Sequence, residues 1–408
     1  VTPLARLLIL SQFAFNIGFF AVLPYLAAHL AGTLGLSGAV VGLVLGLRTF
    51  SQQGLFVVGG MLTDRYGPRP VVLVGCALRV AGFCWLAEAA GAGTVIGAVV
   101  LVGFAAALFS PAVESEITRE ALRIEEAGGH RRTRTLARFS AGGQAGALLG
   151  PVVGTALLTW GGSEAFRLAC LTGAGVFALV LAAHARLMPH TRTAAGGGGA
   201  GPAAAGRLVL GNRRFLRLAG AYAVYLLAYN QLYLALPAEL DRSTGSQRAL
   251  GWLFALSAAL VVAGSGPLER LAATRLDHTG MARAGLLLIA SSFATAALLR
   301  PAGGVWAALA FTLLLTVGQM LILPATRAML PELVGHRHLG LFTGALSSLS
   351  GLAVLTASAP TGALLDHTGP LPWLLLGTLP LLALGLVPST DERRGTIRRL
   401  PDGGGTGA

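Results

Sequence analysis

The stretch Gly60–Leu73 reads G-M-L-T-D-R-Y-G-P-R-P-V-V-L. It is a short charged hinge between two apolar runs, Gly38–Met61 and Val71–Glu88. Each run is about as long as an α-helix must be to cross a ~30 Å hydrocarbon core. The hinge holds Asp64, Arg65 and Arg69, with Gly67 and Pro68 turning the backbone. A junction this tight and polar between two spans belongs at a membrane face.

The rest of the chain repeats that alternation. Of its 408 residues 54% are hydrophobic and 12% charged, where a soluble chain carries about a quarter charged residues. Mean hydropathy is +0.71. Long apolar stretches recur from end to end, which specifies a polytopic, all-α membrane protein, since helices satisfy their own backbone groups in lipid. The stretches are continuous rather than alternating, which argues against a β-barrel. Twelve spans are expected, near 4–29, 38–61, 71–88, 93–113, 135–160, 165–185, 215–239, 248–270, 281–299, 303–323, 338–365 and 370–388. The first run continues directly as span 1, so no cleavable leader is expected.

The net charge of +13 comes entirely from arginine. These arginines lie in loops between spans, so membrane topology accounts for them and no nucleic-acid partner is expected. With the N-terminus inside, the outer loops hold only Arg167, Arg242, Arg248 and Arg300, while Arg48 and Arg79 fall within spans. All others lie on the inner side, which puts both termini in the cytoplasm. Cys76, Cys84 and Cys170 fall inside apolar runs and read as small buried hydrophobes, not as a disulfide or metal site.

Two halves are expected, 1–185 and 215–388, joined by a cytoplasmic Gly/Ala/Arg-rich linker at 186–214 and followed by a disordered tail at 389–408. The linker holds a literal G-x-G-x-x-G (Gly196, Gly198, Gly201), but no strand precedes it, so it is not read as a nucleotide site. A constant offset of 213 relates Pro24 to Pro237, Gly38 to Gly251, Asp64 to Asp277, Gly67 to Gly280 and Pro111 to Pro324. The hinge D-R-Y-G thus recurs as D-H-T-G at Asp277–Gly280. A further L-D-H-T-G at Leu365–Gly369 falls on the opposite face, as inverted three-helix units would place it.

Arg48 and Arg79 are mid-span charges, each costing ~2.5–3.5 kcal/mol on insertion scales, so each must face a cavity or a polar partner. Arg48 reads either as a substrate or coupling contact or as a structural arginine satisfied by backbone carbonyls and by Gln52, one turn along. Arg79 carries the same two readings. Span 5 spaces Gly142, Gly146, Gly150 and Gly154 at i, i+4 around a kinking Pro151, a groove that lets a neighbouring helix approach closely. Tyr222, Tyr225, Tyr229 and Tyr233 share one face of span 7, either stacking on ligands or forming a packing seam. Asn230, and with it Gln12, Asn16 and Gln319, supplies candidate polar contacts to a central cavity, or hydrogen bonds between helices. None of the acidic residues falls at mid-span by these boundaries, so no coupling carboxylate is identified. The offset of 213 also carries Glu114 onto Arg327 and Arg119 onto Glu332. These opposite charges at related inner helix ends suggest a cytoplasmic gate, or else solvated helix ends.

The hinge pattern G-x-L-x-D-R-x-G-x-R, from Gly60 to Arg69, resembles the signature loop between helices 2 and 3 of the major facilitator superfamily. Span 5 looks like the antiporter motif of its drug exporters, with Gly154-Thr155 where two glycines are usual. Gly46–Leu55 and Leu78–Phe83 are similar to a bacterial multidrug-resistance subgroup of the drug:proton antiporters. The resemblance implies two pseudo-symmetric six-helix halves in a bacterial cytoplasmic membrane, and proton-driven efflux of amphipathic compounds by alternating access. It casts Asp64 as a conformational latch supported by Arg65 and Arg69. The expected partners are a small-molecule substrate, protons and lipid, with the chain acting as a monomer without cofactor. A transporter of anionic metabolites using Arg48 and Arg79 is the alternative. A membrane enzyme is disfavoured by the lack of G-x-S-x-G and H-E-x-x-H. A non-transporting sensor is disfavoured too, since no appended soluble domain is present to relay a signal.

Overall fold

A computed structural model describes residues 2–129, 131–189, 202–334, 339–367 and 369–389. Its long helical segments are α1 (Pro3–Thr33), α2 (Gly38–Tyr66), α3 (Pro68–Ala87), α4 (Ala92–Glu126), α5 (Arg132–Trp160) and α6 (Ala165–Leu187). The second set is α7 (Arg213–Thr244), α8 (Arg248–Ala273), α9 (His278–Ala302), α10 (Trp306–Val334), α11 (Leu339–Leu365) and the shorter α12 (Leu371–Leu386). Ten of these are long and apolar enough to cross a membrane. The other two are α12, which is short, and α7, whose tyrosines, Asn230 and Gln231 lower its apolarity. α7 is embedded in protein instead, with Tyr225, Asn230, Gln231 and Tyr233 all buried. Exposed apolar side chains such as Leu179, Leu298 and Trp160 point outward, as lipid contact requires.

The hinge is tighter than the sequence indicates. α2 runs to Tyr66 and α3 starts at Pro68, so Gly67 alone reverses the chain, at φ 85° and ψ 162°. Only glycine adopts that conformation without strain. Pro68 opens α3 because its missing N–H costs nothing in a first turn. The related loop is built differently. α8 ends at Ala273, and Asp277 caps α9 by accepting from Gly280 N at 2.9 Å. Asp64 instead lies within the last turn of α2 and is exposed.

Several boundaries move. α4 continues well past the expected end at 113, and α10 past 323, because both go on as amphipathic helices beyond the apolar run. Part of the expected irregular linker is the helix Pro202–Gly211; the G-x-G-x-x-G glycines and the tail beyond 389 lie outside the described residues. α1 breaks before Pro24, and α2 contains a π-helical turn at Phe50–Gly54. Cys84, read as buried, is exposed on the outward side of α3, while Cys76 and Cys170 are buried.

Helix pairing repeats with a shift of six. α1 packs on α5 as α7 packs on α11; α3 packs on α4 and α6 as α9 packs on α10 and α12. Between the halves, α2 packs on α11 and α8 on α5. Each half has an aromatic knot: Phe15 stacks on Phe109 at 4.5 Å and meets Phe177 at 5.4 Å, and Phe311 lies 5.1 Å from Phe293 and 5.0 Å from Trp373. Arg65, Arg69, Arg186, Arg213, Arg270 and Arg275 gather at one end of the bundle, called here the arginine-rich end.

Candidate functional site

A cavity of about 750 Å³ lies between the halves. α1 contributes Gln12, Asn16 and Phe20; α5 contributes Gly143 and Gln144; α7 contributes Tyr229; α8 contributes Phe254 and Ser257; α10 contributes Gln319. Glu114, Thr118, Arg327 and Thr343 line it toward the arginine-rich end. Three of the expected amides, Gln12, Asn16 and Gln319, therefore reach one space. Asn16 also donates to Gly143 O at 2.8 Å, tying α1 to α5. Gln144, Ser257 and Thr343 were not legible in the sequence as site residues, since nothing local distinguishes them.

The spacing of small residues in α5 positions that wall. A Cβ on Gly146 would sit 2.3 Å from Phe13 O, one on Gly150 2.6 Å from Phe20 Cβ, and one on Gly154 2.4 Å from Ala21 O. The neighbour these glycines admit is α1. The carbonyl of Pro151 itself accepts from Tyr25 Oη at 2.7 Å, tying α5 to α1 a second time.

The tyrosines of α7 do share a face. Tyr222–Tyr225, Tyr225–Tyr229 and Tyr229–Tyr233 have ring centroids 5.4, 6.2 and 5.9 Å apart. Of these four, Tyr229 is the one among the cavity-lining residues; Tyr225 and Tyr233 are packed inside the protein.

Arg48 lies just before the π turn, 8% exposed. Its Nη2 donates to Gln52 Oε1 at 3.0 Å, and its guanidinium lies 5.3 Å from the Phe19 ring and 5.4 Å from Tyr233. Arg79 is fully buried, with Phe15, Phe19, Phe83 and Phe177 at 4.2, 5.0, 5.8 and 4.9 Å. Its Nε, Nη1 and Nη2 meet no hydrogen-bond partner among the described residues. Desolvated cation–π contacts stabilise by ~2 kcal/mol each, whereas each unmatched buried donor costs ~1–3 kcal/mol. The rings hold the arginine in place and leave its hydrogen bonding unmet. The cage was invisible in sequence because four phenylalanines from α1, α3 and α6 are ordinary apolar residues until folded.

The remaining charges cluster by end. Arg69 Nη2 donates to Ala185 O at 2.6 Å, pinning the hinge to α6, and Arg65 lies over its neighbour Tyr66 at 5.3 Å. Gly60 faces open space, whereas a Cβ on Gly59 would sit 1.9 Å from Ala107 O, so Gly59 is the glycine that packing on α4 demands. Glu114 and Arg327 face the same cavity but form no ion pair within 4.0 Å among the described residues. Arg119 instead pairs with Glu116 at 3.5 Å, and Glu332 lies 3.9 Å from His278. Glu116 and Glu120 are buried on α4; the expected end of span 4 at 113 had hidden them.

At the opposite end the halves meet closely at glycines, backbone to backbone between α2 and α11 and against the Thr155 hydroxyl between α8 and α5. A Cβ on Gly42 would sit 2.1 Å from Ser358 O, one on Gly362 1.8 Å from Gly38 O, and one on Gly251 1.7 Å from Thr155 Oγ1. Gly38 and Gly251, paired by the sequence offset, thus do the same work in the two seams. The Asp366 carboxylate accepts from Gly38 N at 3.1 and 3.2 Å, capping the start of α2.

The family model described as Major Facilitator Superfamily matches residues 8–238 and 218–402. An MFS-type transporter of Mycobacterium tuberculosis is 35% identical over 372 residues, covering 89% of this chain and 86% of its own. Multidrug resistance protein MdtH of Aeromonas hydrophila is 30% identical over 400 residues, covering 94% of each. MdtH of Yersinia pestis is 32% identical over 387 residues, covering 93% and 92%. Among solved structures, a POT family transporter in complex with 5-aminolevulinic acid superposes with TM-score 0.77 at 13% identity, covering 94% of this chain and 95% of that one. The nucleoside transporter NupG does so with TM-score 0.74 at 13% identity, covering 94% and 98%. These two likenesses are of fold. With its helix pairing, central cavity and family match in agreement, the chain belongs to the major facilitator superfamily and is a multi-pass membrane transporter of that type.

Proposed function

We propose that the chain is a proton-coupled exporter of amphipathic drugs or metabolites, working by alternating access in a bacterial cytoplasmic membrane with both termini inside. The carrying observation is the cavity of about 750 Å³ between the halves, walled by aromatic and amide side chains and closed at one end by glycine seams. Small-molecule sites occupy roughly 300–1,000 Å³. The likeness to MdtH supports the substrate class.

In this reading the arginine-rich end is cytoplasmic and open. Closing it brings Glu114 to Arg327, and less directly Arg119 to Glu332, while Asp64, with Arg65 and Arg69 beside it, latches α2. Glu114 is the one carboxylate among the residues lining the cavity, and we assign it the proton. Inverted vesicles loaded by a pH gradient should take up a lipophilic cation, and uptake should collapse with the gradient. Glu114→Gln should bind that cation but lose gradient-driven uptake. Gradient-insensitive uptake by the unaltered chain would refute proton coupling.

A second reading, transport of anionic metabolites, is favoured by one observation: neither Arg48 nor Arg79 has an acidic partner within 4.0 Å among the described residues. Exchange of organic anions in the same vesicles would support it.

A further inference from the structure

The closed end of the cavity rests on hydrogen-bond donors without acceptors. Phe20 and Tyr229 belong to the cavity wall. Behind them lie Phe19, 5.1 Å from Phe20, and Tyr233, 5.9 Å from Tyr229. Arg48 and Arg79 both lie against Phe19, at 5.3 and 5.0 Å from its centroid, so a single ring borders both guanidiniums. Asn230 is held beside α2 by Thr49 Oγ1, which meets its Oδ1 at 3.2 Å. Thr49 Oγ1 also donates to Leu45 O at 3.0 Å, so the Thr49–Asn230 pair is satisfied within the protein. Nε and Nη1 of Arg48 and all three nitrogens of Arg79 have no partner among the described residues. Every one of these atoms is a donor.

The fold itself does not ask for these charges. The offset of 213 carries Arg48 onto Val261 and Arg79 onto Ser292, so the second half builds the same helices without them. Buried donors of one sign call for an acceptor of the opposite charge, and two planar guanidinium forks match the paired oxygens of an oxyanion.

We infer that Arg48 and Arg79 form a buried anion site, one aromatic layer beyond the cavity, for a carboxylate or other oxyanion. The anion is either a group of the transported molecule or a free inorganic ion. Rotation of Phe19 and Tyr233 opens the way from the cavity. The site deepens the anionic reading of this transporter and rests on it for its role, although its occupancy is measurable without transport.

The test is thermal unfolding of the purified full chain in nanodiscs against sodium salicylate and, separately, sodium sulfate, with sodium chloride holding ionic strength constant. A saturable rise in melting temperature is expected with at least one oxyanion. Arg48→Gln and Arg79→Gln should lose it, and Arg48→Lys should weaken it about tenfold, because an ammonium lacks the fork. If Arg79→Gln fails to fold, Arg48→Gln and Arg48→Lys still decide the matter. Response to salicylate alone assigns the site to organic substrates, and response to sulfate assigns it to a free oxyanion. No saturable shift with either salt, or an undiminished shift in Arg48→Gln, overturns the site. Lipophilic-cation uptake in vesicles reports separately on the export reading.

Discussion

The two ends of this bundle are closed, or left open, by different materials. At one end, glycines of α2 and α8 bring backbone against backbone of α11 and against α5. At the arginine-rich end, long charged side chains flank a cavity without touching across it. Backbone seams are steep, since a gap of ~0.5–1 Å already forfeits a quarter to a half of each contact. Charged tips on flexible stems reach partners over several ångströms, for a small gain each. One end is therefore rigidly sealed and the other adjustable, and a third kind of seam, inside each half, has no open state at all.

The largest test of that distinction is Gly146→Leu, in the α1/α5 seam within one half. No rearrangement between halves relieves its clash with Phe13 O, so overpacking of ~3 kcal/mol falls directly on folding. Membrane abundance and the detergent melting temperature should both drop. Ordinary values for both would dissolve the difference between seams.

Gly42→Leu places a similar clash on Ser358 O, but between halves. The protein should fold at normal abundance and escape by opening that end, at ~1–3 kcal/mol, a shift of about fivefold to rather more than a hundredfold in the two-state ratio. Distances between spin labels at Leu36 and Leu371 should lengthen, and transport should fall.

A smaller effect is expected at the cap. Asp366→Asn keeps the shape but removes the charge from the start of α2, worth ~1 kcal/mol. The same labels should show the open population rising about fivefold. A population that does not move would make the seam purely steric.

The smallest effect belongs to the charges. Glu114→Arg and Arg327→Glu should each favour an open arginine-rich end by ~0–1 kcal/mol, and the double swap should restore closure. Cysteine accessibility at Thr343 would report it. Damage that merely adds in the double variant leaves no gate.

The sequence made the apolar spans, the Gly67 turn and the tight face of α5 legible, because each is written in local spacing. The offset of 213 pairs Gly38 with Gly251, but that both touch the other half is visible only in the fold. What stayed hidden depends on neighbours from distant spans. Gly59, not Gly60, meets α4; four phenylalanines enclose Arg79; Asp366 caps a helix more than 300 residues before it, at Gly38. Asp277 matches Asp64 in sequence but caps α9, because α8 stops sooner than α2 does.

The π turn at Phe50–Gly54 has a consequence for how this helix tolerates change in length. Each residue of an ordinary helix advances its face by ~100°, yet Gly42 before the turn must face α11 while Gly59 after it must face α4. A π turn carries one residue more than the helix needs, absorbed locally, with Ser348 Oγ donating to the Gly54 carbonyl at 2.8 Å. Deleting one residue there lets the turn relax to ordinary helix with both glycine faces still in phase. The same deletion within Phe56–Tyr66 would swing the hinge aside by ~100°. In related chains, a one-residue gap in this span belongs between Thr49 and Leu55.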